Sequence, residues 1–279
     1  MSPEFSICIP VLNNRHIKAC LDSIFANKFQ DFEVIVNDAS EHFYVSEWIS
    51  DYDVKIIRKK TKSFESRMIS ANASTGNRII FFDDSRICQN TLLYRLSIMF
   101  HDMIVISERD IGKGILVKLS NLDKRGFSES RVKINPLKNK SVIPRVYKRD
   151  ILIEALRSIN ANLTPVIVKN IVGLDLEIIY YQAFKISQNI GVISTPEILH
   201  YGDENLKSIF YKYYRYGLTQ RMLTETIYNE LANLSGRNRS SLYIRDRILS
   251  LPLQAIRGIP FILGYISGDY NATGDVFKK

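Results

Sequence analysis

FSICIPVLNNRHIKACLDSIFANKFQDFEVIVNDAS, residues 5–40, is the stretch whose reading decides the fold. It opens on a short apolar run, Phe5 to Ile9, and closes on another, Phe32 to Val36. Both are rich in β-branched residues and too short for helices, so they read as buried strands. Between them Ile17, Leu21, Ile24 and Phe25 recur at helical spacing, with Asn13 or Asn14 available as N-cap. Strand, helix and strand in that order form a βαβ unit with parallel strands.

Working outward, Val54 to Ile57, Ile79 to Phe82 and Met103 to Ser107 have the same strand character. A further helix is expected where Asn90 can cap a segment with Leu92, Leu93, Leu96 and Met99 on one face. The alternation predicts an α/β chain with a doubly wound, mixed but mainly parallel sheet flanked by helices. The region from Gly112 to Pro144, rich in Lys, Ser and Asn, reads as loops and edge strands. From about Asn205 the chain turns to helical segments dense in Tyr, Phe, Lys and Arg. The expected organisation is therefore a catalytic domain over residues 1–203 and a helical extension over 204–279, with no internal repeat.

Composition sets limits on function. A 46% hydrophobic, 24% charged chain falls in the globular range, and no block of it suggests disorder. The net charge of +9 favours a polyanionic partner, whether nucleic acid, anionic lipid or nucleotide diphosphate. No zinc knuckle, RNP-type run or compact basic helix is present, which argues against nucleic acid. Cys8, Cys20 and Cys88 are odd in number and form no C-x-x-C pair, pointing to a reducing cytosol rather than a disulfide framework. The opening residues lack the basic and apolar regions of a signal peptide, and no stretch reads as an ~18–20-residue apolar membrane span.

In open α/β sheets, ligands sit outside the carboxyl ends of the strands, so polar residues just after apolar runs are the candidates. These are Pro10, Asn13 and Asn14 after the first run, Asn37, Asp38 and Ser40 after the second, and Asp83, Asp84 and Ser85 after the fourth. A strand-end carboxylate can accept a nucleobase N–H, and one beside a diphosphate needs a divalent cation between them. Such residues also commonly close turns and cap helices.

Residues 5–40 resemble the opening of family 2 glycosyltransferases, with the pattern SVIIPVYN, CLDSIL and FEIIVVDDGS. The likeness continues in SRMISANASTGNRIIFFDDSRICQNTLL, residues 66–93, similar to the family's ARN-x-G and LDSDD segments; Arg67 and Gly76 fall on family positions. It returns in GLDLEIIYYQAFKISQNIGVISTPEILHYGDENLKSIFYKYYRYG, residues 173–217, similar to the G-E-D-x-E-L segment and the later His and Arg-Tyr-Gly. The resemblance implies the GT-A fold and inverting transfer of a sugar from a nucleotide diphosphate, a UDP-sugar favoured, to a hydroxyl of a lipid-linked or growing glycan. It implies Mn²⁺ or Mg²⁺ held by Asp84 with His200, donor contacts from Pro10, Asn13, Asp38, Arg67, Asp83 and Asp84, and Asp175 as catalytic base.

Three departures qualify it. The first Asp of the VDDGS pattern is Asn37, the FFDDS run admits two registers, and the usual Glu-Asp pair at the base is Leu174-Asp175. One register puts the metal position at Ser85 and the other, anchored on the downstream helix, at Asp84; the second is favoured, because a serine alone holds a hard dication poorly. These replacements leave open a catalytically silent nucleotide- or glycan-binding protein. In the last 40 residues Arg245, Arg247 and Arg257 alternate with Leu249, Leu251, Leu253, Ile256, Ile259, Phe261 and Ile262, interrupted by Pro252 and Pro260. This reads as an interfacial helix lying on the inner face of the cell membrane, or else as a helical cover or a contact between subunits.

Overall fold

The computed structural model describes residues 2–14, 16–128, 134–137, 142–203, 205–233 and 244–268. In chain order, β1 (Phe5–Val11), α1 (Ile17–Phe25) and β2 (Phe32–Asp38) lead through a single turn, Glu41–Phe43, to α2 (Tyr44–Trp48) and β3 (Lys55–Arg58). Then come α3 (Ser63–Asn72), β4 (Arg78–Phe81), β5 (Arg86–Cys88), α4 (Leu92–Ser97), β6 (Met103–Ile111) and α5 (Ile115–Ser128). The remainder is β7 (Val146–Lys148), α6 (Arg149–Asn162), α7 (Pro165–Asn170), α8 (Asp175–Ile186), β8 (Ile190–Tyr201), α9 (Leu206–Leu223), α10 (Asn229–Asn233) and α11 (Ile244–Ser267).

The strands join in one eight-stranded sheet in the order β3-β2-β1-β4-β7-β6-β8-β5. β1 runs parallel to β2, from Phe5 opposite Phe32 to Val11 opposite Asp38, and parallel to β4 on its other side. The carboxyl ends of these three strands therefore meet at one edge. Alternation along the strands divides the core between two faces. Cys8, Ile35, Ile79 and Phe81 face α3, α6 and α8, while Ile7, Ile9, Val34, Val36 and Phe82 face α1 and α4. Each buried large aliphatic or aromatic side chain contributes roughly 1.5–3 kcal/mol of transfer free energy, so period-two burial on both faces fixes the register.

The α/β class with mostly parallel pairing is as expected, but several local expectations change. Thr91 rather than Asn90 precedes α4, and His16 rather than an asparagine precedes α1. Asn14 instead accepts the His16 N–H on Oδ1 at 3.0 Å. Residues 115–128, expected as loop, form α5, which turns Val117 and Ser120 inward and packs against β6 and α11. Its apolar residues are interleaved with Lys118, Ser120 and Asn121, which obscured the helical period. The boundary expected near residue 203 does not divide the core: Met222, Leu223, Tyr228 and Leu231 share one cluster with Leu156, Ile179 and Tyr180. Arg245 and Arg247 have side chains outside the described set.

β2 ends in Asp38, which is fully buried. Its Oδ1 accepts from Ser40 N at 2.9 Å and Ser40 Oγ at 2.5 Å, and its Oδ2 from Ser46 N at 2.7 Å and Ser46 Oγ at 2.6 Å. Burial raises the Asp38 pKa, but those four bonds outweigh it and hold the carboxyl below its ordinary value. The corner they clamp includes His42 and Phe43 with φ of 52° and 56°, a conformation that costs side-chain-bearing residues energy and needs such support.

α11 lies along α9, and two glycines permit the contact. A Cβ on Gly217 would stand 2.0 Å from the Phe261 carbonyl oxygen, and one on Gly264 would stand 2.0 Å from that of Tyr214. Neither oxygen belongs to a side chain that could swing away. Gly264→Ala is therefore expected to prise the helices apart and cost about 1–3 kcal/mol in urea unfolding. Asp38→Asn, which turns an N–H₂ toward donors, is expected to cost a similar ~1–3 kcal/mol near neutral pH. The Asp38 contribution is present above the ordinary aspartate value of 3.8 and is lost as pH falls through the lowered folded value, so the gap between wild type and variant closes in acid.

Candidate active site

Arg67, on α3, is the residue on which the candidate centre is built. It is 5% exposed, and its Nε donates to Asp175 Oδ2 at 2.9 Å while its Nη2 donates to Asp83 Oδ1 at 2.5 Å. Its Nη1 is buried with no hydrogen-bond partner among the described residues. The Phe81 ring lies 5.7 Å from the guanidinium carbon, adding a cation–π contact beneath it. One side chain thus joins the turn after β4 to the start of α8, residues 108 positions apart in sequence for the Asp175 bond.

Asp83 is shared. Besides Arg67 it pairs with Arg86 of β5 and with Arg145 Nη1 at 3.4 Å. Glu108 of β6 accepts from Arg86 Nε at 3.1 Å and Arg145 Nε at 2.9 Å. Charges this deep are tolerated only in mutual compensation, and here three guanidiniums face three carboxylates. Burial raises the Glu108 carboxyl, yet Arg145 and Arg86 more than reverse this and hold it well below the usual range. Burial and the neighbouring Arg145 bring Arg86 down to about 10.

Asp175 begins α8. Gly173 and Leu174, with φ of 82° and 58°, turn the chain into that helix, and a Cβ on Gly173 would lie 2.4 Å from the Tyr216 ring. Burial raises the Asp175 carboxyl, but Arg67 and the N–H groups of the first helical turn prevail, keeping it ionised and below its ordinary value. The neighbouring carboxylate behaves oppositely. Asp84 accepts from Asn14 Nδ2 at 2.9 Å, and burial pushes it up to about 6 against that bond and the Leu12 and Ser85 N–H groups.

At the end of β2, Asn37 stands opposite Pro10 of β1. Its Nδ2 donates to Thr61 Oγ1 at 2.9 Å and to the Lys59 carbonyl at 3.3 Å, which fixes the amide orientation. Its Oδ1 is a buried acceptor without a partner among the described residues. Asn13 Oδ1 accepts from the Tyr44 hydroxyl at 2.8 Å.

His200, near the end of β8, lies beside the turn that carries Asp84, since Tyr201 N donates to Ser85 O at 2.9 Å. Its Nδ1 is 2.7 Å from Asp110 Oδ1, and Asp110 also accepts from Ser120 and Lys124. Burial, with Arg86 and Lys124, drives the imidazole down to about 4, while Asp110 stays ionised. A neutral ring donating from Nδ1 to a carboxylate leaves Nε2 with a lone pair, the tautomer a metal-ligating histidine adopts. The His16 ring stacks on Tyr201 at 3.8 Å, tying the β1–α1 loop to the same edge.

The expected site residues therefore fall into groups. Arg67, Asp83 and Asp175 meet directly; Asp84 meets Asn14; His200 joins the Asp84 edge through the β5–β8 pairing; and Asp38 is engaged in its own corner. Arg86, Glu108, Asp110 and Arg145 were not singled out from the sequence. Glu108 and Asp110 follow an apolar run and were open to the same strand-end rule, whereas nothing local marks Arg145. Among the described residues no three of His, Cys, Asp and Glu converge on a point. Asp84 and His200 supply one carboxylate and one imidazole, ligand types a divalent cation accepts, on neighbouring strand ends.

The sequence model described as glycosyl transferase family 2 matches residues 6–156, more than half of the chain. No curated protein matches the sequence significantly. Among solved structures, S. aureus TarS 1-349 aligns over 99% of this chain and 75% of its own, at 15% identity and a TM-score of 0.57. The same protein in complex with UDP-GlcNAc aligns over 99% and 93%, at 13% identity and a TM-score of 0.58, and its UDP complex over the same shares at 13% and 0.54. These likenesses give the GT-A fold, and with the family match they make this chain a member of glycosyl transferase family 2.

Proposed function

We propose that this glycosyltransferase moves a sugar from a UDP-sugar to an acceptor hydroxyl with inversion, Asp175 serving as the base. The observation that carries the reading is the pair of bonds by which Arg67 holds Asp175 beside the turn of Asp83 and Asp84. The acceptor oxygen attacks the anomeric carbon on the face opposite the diphosphate. As the new C–O bond forms, the bond to the diphosphate oxygen breaks with its electron pair, and the hydroxyl proton passes to Asp175. A base must be ionised to do this, and Arg67 keeps it so. The Nη1 donor of Arg67 suits a diphosphate oxygen, whose charge grows as the bond breaks.

Asn37 rather than Asp38 is the group to meet the nucleobase, because its Oδ1 is the buried acceptor left over at the strand end. An acceptor there suits the N3–H of uracil, and the UDP and UDP-GlcNAc complexes of the TarS fold relative support that base. Pro10 and Asn13 line the same edge. Mn²⁺ or Mg²⁺ held by Asp84 and His200 would offset charge on the departing diphosphate. The acceptor we infer is a lipid-linked or growing glycan, reached on the cytoplasmic face of the membrane.

Asp175→Asn is expected to lower kcat roughly 10²–10⁴-fold while the rise in melting temperature on adding UDP persists; unchanged turnover would sink the assignment of the base. Asn37→Ala should raise KM for the UDP-sugar about tenfold and leave kcat at saturation nearly intact, the signature of a lost binding contact away from the reacting atoms. An unaltered KM would return the base-reading role to another residue.

A further inference from the structure

α11 presents its polarity the wrong way round for a helix that covers a soluble domain. Between residues 248 and 268 the only charged residue is Arg257, and it points inward, with Nη2 donating to Ser120 Oγ of α5 at 3.2 Å and the guanidinium 5.4 Å from the Tyr213 ring of α9. Ser250 and Leu253 are buried on that inner side as well. The outer side carries Ile248, Leu251, Ile259, Ile262, Leu263 and Ile266, between 48% and 74% exposed. With exposed Ala255 filling the eight positions between Leu251 and Ile259, they lie at steps of about three or four residues and form an aliphatic stripe about 30 Å long. Phe210 of α9, 42% exposed, lies next to its far end, since it stacks on Tyr214, which hydrogen-bonds Ser267.

We propose that this stripe rests on the surface of an anionic lipid bilayer, with the helix lying in the plane of the interface. Charge supports a lipid occupant over a second copy of the chain. The protein carries a net charge of +9, and the two helices packed against α11 carry exposed lysines, Lys118 on α5 and Lys207 on α9, so two copies face to face would bring together like-charged surfaces. Composition supports it too: the stripe is wholly aliphatic, without the aromatic and arginine anchors that concentrate in protein interfaces. The helix does contain a 20-residue window, Ile248–Ser267, of mean hydropathy 1.3, long and apolar enough to cross a bilayer, contrary to the sequence-based expectation. Its close packing on α9 opposes spanning, because α9 would bring Lys207, Lys212, Arg215 and Arg221 into hydrocarbon. Proline at 252 and 260 leaves backbone carbonyls that the interface can hydrate.

The inference rests on the glycosyltransferase reading only for its purpose, which is to bring the site to a lipid-linked acceptor, and binding and transfer are measured separately. The full chain is floated with vesicles of equal parts phosphatidylglycerol and phosphatidylcholine. Wild type and Asp175→Asn are both expected to rise with the vesicles, so loss of catalysis leaves binding untouched. The triple variant Ile259→Ser, Ile262→Ser, Ile266→Ser should bind roughly tenfold more weakly or worse, with an unchanged melting temperature and unchanged transfer to a soluble acceptor. If that variant loses its melting transition, Ile248→Ser with Leu251→Ser tests the other end of the stripe by the same readout. The proposal is overturned if wild type stays in the bottom fraction or if folded stripe variants float as well as wild type. It is equally overturned if light scattering shows a wild-type dimer that the substitutions dissolve while vesicle binding is absent.

Discussion

Buried charge in this protein is organised around one guanidinium. Arg67 stands under the site with one nitrogen on Asp175 and another on Asp83, and Asp83 in turn gathers Arg86 and Arg145. Without Arg67, Asp175 would be a desolvated carboxylate at a helix start, and burial would push it toward the neutral acid, which cannot take up a proton. Asp83 would lose one of its three cations. The carboxylate proposed as base and the interior electrostatics therefore depend on one residue, at which the fold brings α3, the turn after β4 and the first residue of α8 together.

How much of this could be read beforehand depended on whether the controlling contact was local. The βαβ opening and the strand-end candidates were legible because period-two and period-3.6 burial write themselves into short windows, whereas Asp175 was singled out only through the likeness to family 2 glycosyltransferases. The resemblance also singled out Arg67, and the strand-end rule Asp83, as site candidates. Neither could say that the two touch, since their contact depends on a sheet order in which β4 lies beside β1. Asp38 illustrates the opposite limit. A strand-end aspartate followed by serines two and eight residues on serves equally well as a ligand contact or a corner clamp, and only the coordinates decide that its four bonds are internal. α5 was missed because its buried face holds Ser120 and approaches Asn121, polar groups whose partners on Asp110 come from another strand.

The same distinction explains the C-terminal helices. Tyrosine- and arginine-rich composition pointed to helix and to an extension apart from the catalytic part. The packing instead draws α9 and α10 into the principal core, and leaves α11 attached through glycine contacts to α9 and one arginine to α5. Ser120 accepts from that arginine and donates to Asp110, the residue that orients His200, so the outermost helix is linked by hydrogen bonds to the edge of the site.

β7 is only three residues long, yet it sits between β4 and β6 and pairs antiparallel with both. It is the seam between β3-β2-β1-β4 on one side and β6-β8-β5 on the other. As the chain leaves the ribosome, the first four of those strands can assemble while β4 still presents an open flank, and that flank stays uncovered until residues 146–148 emerge. Closure at the seam joins segments nearly seventy positions apart, a loop whose entropy must be lost before the pairing is gained. Closure of the sheet thus waits until just past the middle of the chain has been made, at one of its two three-residue strands and next to Arg145, which pairs with Asp83 and Glu108.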